Sequence, residues 1–492
     1  MQLLERIFHI KARGGNIKSE IIGGLVTFVS MCYILPVNAA ILGDAGMNPQ
    51  GVFMMTALLS FAVTWIMGLV ANYPIVLSAG MGLNAFLSYT VCQSLGFSWQ
   101  EAMVLLTIAG LLFFVLSLTA VRRIIIEAIP KDLKLIISAA LGAFICFVGL
   151  KGSGIIASSP STFVSLNSFV DPAVLIAILA VLLCFGLLFV PNKLVRGLAI
   201  PIAIAFSAIV GVITSEILIG TGCLQEVNGA WVYANFVEAI NGQATLLPIF
   251  PTHMGAKFAD FSGVSDVVFF GAFGSEPFNF GEALGKIFTN PASYIAIFSL
   301  VFVHLFDTTA TLLAVGKDAG MMDAEGKMQN YQRAVLADAT GALVCGPLGT
   351  STLTSFAESN VGVSLGAKTG LAACVAGFMF LLSAFIYPVF SVFTAGSVTA
   401  PALVAVGAMI FANNLKEIEW KNPIVAFTAF LTIVFALLTY SIADGIGLGL
   451  IFYIVMMLFA GKAKEIRIPI YIIGGFFLLS YLLSSLLKIL VS

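Results

Sequence analysis

The sequence predicts an all-α polytopic membrane protein of about fourteen transmembrane segments, arranged as two inverted seven-helix repeats. Three observations carry that prediction. Of 492 residues, 60% are hydrophobic and 10% charged, with a mean hydropathy of +1.07, whereas a soluble domain is about 25% charged. The apolar residues gather into runs of roughly 20, the length that crosses a bilayer. Two of these runs, in matching places of the two halves, are interrupted by glycines and hydroxyl side chains.

The first nineteen residues hold Arg6, Lys11, Arg13 and Lys18 without an apolar core ahead of a cleavage site, so the first helix is expected to direct insertion itself. Spans follow near 20–42, 50–71, 77–94, 99–119, 132–150, 171–190 and 196–219. A polar connection precedes a second set near 293–316, 332–348, 353–366, 368–391, 398–413, 422–440 and 441–461. The expected organisation is 1–19 as a cytoplasmic N-terminus, 20–219 as the first repeat, 220–290 as an extracytoplasmic connection, 291–461 as the second repeat and 462–492 as a C-terminal segment. Its run 467–490 is either a further membrane helix or one packed on the bundle.

With the N-terminus inside, 19 of the 23 Lys and Arg residues fall in cytoplasmic segments, Arg122, Lys134, Lys317, Arg333 and Lys368 among them. The positive-inside rule requires that asymmetry. The connection then lies outside and reads as a partly folded cap, with Glu226, Glu238, Asp260, Asp266, Glu276 and Glu282 against Lys257 and Lys286. Seven helices per half reverse the direction in which the second half enters, so the repeat must be inverted. The third segment of each half is broken, at 74–86 and at 348–363. Irregular backbone survives at membrane depth only where it is buried in protein or lines a cavity. Paired breaks in inverted halves point to a substrate site near the midplane.

Other chemistries find little support. The seven cysteines show no C-x-x-C or His-paired spacing, and all but Cys223 lie in apolar runs, as small core residues do. The net charge of −1 gives no hint of a nucleic-acid partner. Walker A, G-x-S-x-G and H-E-x-x-H patterns are absent, which disfavours ATP hydrolysis and zinc proteolysis. No cofactor and no metal is expected, and the simplest energy source is a proton gradient.

Glu358 is the leading candidate, because an ionisable group at membrane depth is a functional candidate by default. The plainer alternative is a cap on the following half-helix, whose N-terminal dipole favours negative charge. Ser359 and Asn360 beside it suit hydrogen bonds to a polar heterocycle. Asp307 lies deep in the eighth span, with no basic residue within a turn and His304 three residues away on the same face. An uncompensated charge there costs at least about 2.5 kcal/mol, which suits coupling to a proton or a substrate. His304 alone on an apolar helix is more often a satisfied core residue, and Asp338 and Asp444 read as structurally paired. Asn84 stands among Ser78, Gly80 and Gly82, for close helix packing or for direct binding. Phe356 and Phe86 are placed to sandwich a flat ring.

At these residues the sequence resembles a family. Ser78–Phe86, Phe306-Asp307-Thr308, Gly349-Thr350-Ser351 with Glu358-Ser359, Thr399-Ala400-Pro401-Ala402, Ile129–Lys134 and Ser441–Ile446 look like signatures of the adenine/guanine/hypoxanthine permeases. These form the AzgA-like branch of the nucleobase–cation symporters, within the nucleobase–ascorbate transporter superfamily. The resemblance runs along nearly the whole chain in matching order. It implies a core domain and a gate domain, the gate built from spans five to seven and twelve to fourteen and mediating a homodimer. It also implies short extended stretches in segments 3 and 10, with a purine base held between them against the first and eighth helices. The substrate-binding set expected on this resemblance is Glu358, Asp307, Asn84, Phe356, Ser359, Asn360 and Thr308. The expected proton-coupling set is Asp307, Glu358 and His304, with sodium a less favoured ion.

The chain departs from the pattern at His304, where an acid is expected, at Ala310 for glycine and at Lys368 for arginine. The rival readings are a carrier of uracil, xanthine or an inorganic anion on the same fold, an uncoupled channel, and an enzyme using the two carboxylates as an acid–base pair. Two intramembrane acids and no basic residue in the core weigh against anions. The enzyme reading lacks a nucleophile or metal constellation.

Overall fold

The computed structural model describes residues 2–491 except 120–121, 123–129, 160, 228–229, 239, 252, 254–256, 272–277 and 323–327, and gives no side-chain placement for 2–3, 193, 306, 310, 480 and 483–491. Ile129 and Glu276, and the side chains of Phe306 and Ala310, with the expectations placed on them, lie outside the described residues.

Helix starts are written into the sequence as caps. Asn48, Asp171, Asn290 and Asn422 each precede a proline and accept from the backbone N–H two residues on, opening Pro49–Ile66, Pro172–Leu188, Pro291–Asp318 and Pro423–Leu438. The side chain satisfies an orphan donor, and proline at the first position has no N–H to lose. Ser98 and Glu101 form a reciprocal capping box ahead of Trp99–Leu118.

Among the described residues, nine helices are long and apolar enough to cross a membrane, from Ile17–Gly43 to Ile442–Phe459. Three shorter helices, Pro172–Leu188, Tyr331–Cys345 and Pro423–Leu438, and two broken segments complete fourteen, in the order the apolar runs predict. The run 467–490 forms the helix Ile468–Val491, which packs on Ile442–Phe459 and on Pro291–Asp318.

The helices sort into two packed groups. In one, Pro49–Ile66 and Ile17–Met31 pack on Gly370–Ser383, and Trp99–Leu118 packs on Tyr331–Cys345 and Pro291–Asp318. In the other, Lys131–Gly152 packs on Gly396–Leu415 and Pro423–Leu438, joined by Pro172–Leu188, Ala199–Gly220 and Ile442–Phe459. These are the core and the gate. Within the gate, Lys131–Gly152 and Gly396–Leu415 cross backbone to backbone. A Cβ on Gly142 would lie 2.7 Å from the Gly407 carbonyl oxygen, and one on Gly407 would lie 2.6 Å from that of Gly142.

The two broken segments meet in the core. Leu77–Ala79 is a strand that leads into the helical stretch Met81–Ser94, and Leu353–Ser355 is a strand followed by the half-helix Ser359–Ser364. The strands pair antiparallel, with Ser78 opposite Thr354. Antiparallel pairing of equivalent strands is what a two-fold axis in the membrane plane produces. It also supplies backbone partners where no water can.

The connection carries a hairpin, Leu224–Val227 with Ala230–Tyr233, and a helix, Phe280–Thr289. It is tied to the second span where Asn48 Nδ2 donates to Asp266 Oδ2 at 2.7 Å and Gln50 Nε2 to the Asp260 carbonyl at 2.6 Å.

Candidate functional site

Segment ten is buried along its strand and then opens. Phe356 is 7% exposed, Ala357 is exposed and Glu358 is half-buried. Glu358 occupies the cap position of Ser359–Ser364 but makes no side-chain cap bond. Its Oε1 instead accepts from the Tyr33 hydroxyl at 2.9 Å, from the break between Ile17–Met31 and Ile34–Gly43. The capping alternative for Glu358 therefore does not describe this side chain. Asp307, also half-buried, accepts through Oδ2 from Thr354 Oγ1 at 3.2 Å. Asp307 is thus bonded to the strand Leu353–Ser355, and Glu358 follows that strand by three residues.

A cavity of about 820 Å³ lies between core and gate beside this window. Asn360, Val361 and Ser364 line it from the half-helix, and Phe185, Arg196 and Asn413 from the gate. It opens toward the end that holds the N-terminus, because the chain continues from Ser364 to Lys368, whose carbonyl accepts from Arg13. A second cavity of about 450 Å³, lined by Asp44, Tyr89, Thr245 and Thr399, lies between core and gate at the other end.

Other expected residues are placed differently. Asn84 is fully buried, and its Nδ2 donates to Asn38 Oδ1 at 3.0 Å. Ser359 Oγ accepts from the Val76 N–H at 3.1 Å, which ties the half-helix to segment three. Thr308 is fully buried and donates to Asp338 Oδ2 at 2.6 Å. Of the expected set, then, Asn360 lines the cavity, and Glu358 and Asp307 are half-buried. Thr308 and Ser359 bond the frame around the strands, and Asn84 bonds it through Nδ2 while its Oδ1 is buried without a partner among the described residues.

Asn38 is the hub of that frame. Its Nδ2 donates to Thr56 Oγ1 at 2.9 Å and Thr350 Oγ1 at 3.0 Å, and its Oδ1 also accepts from Ser351 Oγ at 2.9 Å. Each buried polar group left unpaired costs about 1–3 kcal/mol. Asn38→Ala is therefore expected to lower the melting temperature in detergent. Leu111→Ala, at a side chain 52% exposed, should leave it unchanged.

Three residues were undervalued or misplaced by sequence reasoning. His304 does not pair with Asp307. Its Nε2 lies 2.6 Å from Asp338 Oδ2, with both side chains buried. Asp338 also accepts through Oδ1 from the Ser355 N–H at 2.9 Å and Ser355 Oγ at 2.8 Å. Tyr33 carried no local signal, since its partner is 325 residues away. Arg122, assigned to a loop, is 5% exposed and donates to Thr309 Oγ1 at 3.0 Å. The core therefore does contain a basic residue, which removes one argument against anions.

Known proteins resemble this chain in sequence and in fold. A family model described as Permease family (Xan_ur_permease) matches residues 18–448. The chain belongs to that permease family. The permease is 39% identical over 491 residues to the guanine/hypoxanthine permease PbuG of Bacillus subtilis, covering 97% of this chain and 99% of the relative. It is 31% identical over 477 residues to the adenine permease AdeP of Escherichia coli, covering 97% and 95%. It thus falls with the adenine, guanine and hypoxanthine permeases, as its motifs imply. The transmembrane domain of the cyanobacterium bicarbonate transporter BicA superposes with a TM-score of 0.59 at 14% identity, covering 87% of the permease and 97% of that chain. The murine Solute Carrier 26 family member A9 anion transporter, in the inward-facing state, gives 0.57 at 11% identity, covering 90% and 69%. At such identities the likeness is one of fold, an inverted-repeat transporter.

Proposed function

We propose that the permease imports purine nucleobases, hypoxanthine, guanine or adenine, by proton symport across the cytoplasmic membrane, with its N-terminus on the cytoplasmic side. The observation that carries this reading is the pair of half-buried carboxylates, Asp307 bonded to the strand Leu353–Ser355 and Glu358 just after it, next in sequence to the half-helix that lines a cavity. The N–H edge of a purine donates to a carboxylate in charge-assisted hydrogen bonds, and Phe356 offers a flat apolar face. Glu358 holds the base, and Asn360 meets it from the cavity side. Asp307 and Glu358 exchange protons with the cavity, and His304 stands one turn behind Asp307. The names of the relatives, guanine/hypoxanthine and adenine permeases, support the substrate class.

Two cavities at opposite ends of the core–gate boundary suit alternating access, with one group moving against the other around a fixed site. The outer face of the gate, set in lipid, is the expected surface of a homodimer. Uptake of labelled hypoxanthine into liposomes under an imposed proton gradient tests the reading. Saturable, gradient-dependent uptake competed by adenine and guanine but not by uracil or bicarbonate is the expected result. Competition by bicarbonate alone would move the substrate to the anion class, and uptake without saturation would mark a channel.

A further inference from the structure

The larger cavity has more room and more charge than a purine base uses. Its volume of about 820 Å³ falls in the range that takes a drug-sized ligand, whereas hypoxanthine is only a pair of small fused rings. Among the described residues that line it, one is charged, Arg196, and none is acidic. Arg196 lies in the last turn of the short helix Lys193–Gly197. It is half-buried, and its guanidinium has no hydrogen bond or ion pair among the described residues. A second cation stands at the gate wall, where Lys416 Nζ donates to Oδ1 of the lining residue Asn413 at 3.2 Å. The acid next to it, Glu417, is held by Lys131 at 3.4 Å.

The core wall asks for a different group. Asn360 lines it from the half-helix, and its Oδ1 is buried without a hydrogen-bond partner among the described residues. A buried acceptor without a donor is costly, so this oxygen suits an N–H from whatever fills the cavity. Between the polar walls the lining is largely apolar and includes Phe185 and Phe189, faces on which a flat ring can lie.

A ligand that matches both walls has a flat ring with an N–H at one end and a phosphate at the other. Joining hypoxanthine or guanine to ribose leaves another ring N–H free, and a phosphate on the ribose puts negative charge at the far end of the molecule. An arginine fork matches a phosphate in charge and in geometry. A phospholipid headgroup shares the phosphate but lacks the ring N–H that suits Asn360.

We propose that this cavity is an inhibitory site for a purine nucleoside monophosphate, with the base against Asn360 and the phosphate against Arg196. While bound, the nucleotide occupies the approach to the base site and holds off the free base. The inference rests on the purine reading and extends it to regulation. The ligand is the product of adding a ribosyl phosphate to the imported base, so the permease is slowed by what its cargo becomes.

The test follows displacement of labelled hypoxanthine from the solubilised full chain by inosine monophosphate, inosine and inorganic phosphate. Wild type is expected to bind the monophosphate about 10- to 100-fold more tightly than inosine, the gain from hydrogen bonds to a charged group. In Arg196→Gln the two compounds should displace hypoxanthine alike. Arg196→Lys, which keeps the charge without the fork, should fall between. Inorganic phosphate alone should displace nothing.

A monophosphate no better than inosine on wild type overturns the proposal, and that comparison needs no variant to fold. An advantage that survives in Arg196→Gln also overturns it, as does displacement by inorganic phosphate alone, which marks a general anion effect. Repeating the measurement in bilayer discs of phosphatidylcholine, with and without phosphatidylglycerol, separates the two sources of phosphate. The monophosphate should keep its advantage in both. Its loss with phosphatidylglycerol assigns Arg196 to lipid and overturns the proposal. Hypoxanthine that binds but is not displaced by the monophosphate strikes out the inhibitory site alone. Wild type that binds no hypoxanthine removes the purine reading, and the proposal with it.

Discussion

Replacing Glu358 by Gln is expected to reduce hypoxanthine uptake by about 10- to 100-fold while leaving the fold intact. Gln keeps the volume of Glu, and its amide oxygen still accepts from the Tyr33 hydroxyl, which now meets Glu358 Oε1 at 2.9 Å. The side chain makes no cap bond to the half-helix, so helix capping is not at stake. What disappears is the negative charge at a half-buried position. A hydrogen bond to a charged group contributes about 1.5–3 kcal/mol, and each 1.4 kcal/mol is about tenfold in affinity. Tyr33→Phe, which strips one donor from Glu358 but keeps the carboxylate, should cost far less. Initial rates of uptake, set against protein recovered in the membrane, give both values. Uptake by Glu358→Gln at the wild-type rate would remove Glu358 from the site.

Gly407→Leu is expected to abolish recovery of folded protein. The crossing of Lys131–Gly152 with Gly396–Leu415 places the Gly142 carbonyl oxygen 2.6 Å from where a Cβ on Gly407 would stand. The obstacle is helical backbone, which has no rotamer to change. Overpacking a core that can adjust costs about 1–3 kcal/mol, and here the helices must part along their length. Gly475→Leu provides the control, since a Cβ there meets nothing within 4 Å. Size-exclusion profiles of detergent extracts should show a single symmetrical peak for Gly475→Leu and aggregate for Gly407→Leu.

The fold was legible because its signals are local. Apolar runs set the spans, Asn-Pro and Asp-Pro pairs set their starts, and glycine with hydroxyls marks the breaks. The leading acids were legible for a similar reason, since a carboxylate inside an apolar run stands out in one dimension. The hydrogen-bonded frame around these acids is not local. Asp338 sits between two alanines, and the contacts that give it meaning come from residues 30, 34 and 17 positions away. The sequence reading took Asp338 as structurally paired, and its carboxylate is paired on all these sides. Asn84 was open between packing and binding. Its Nδ2 donates to Asn38 on the first span, while its Oδ1 is buried without a hydrogen-bond partner among the described residues.

The pairing of Leu77–Ala79 with Leu353–Ser355 also bears on how the chain is made. The ribosome completes the first strand while most of the molecule, its partner strand included, is still untranslated. Through that interval the first strand has peptide groups without their mates in a medium that offers none. The first half is thus an unfinished client of the insertion machinery until residue 355 arrives. The strand pair beside the proposed site can close only after more than two thirds of the chain has been made.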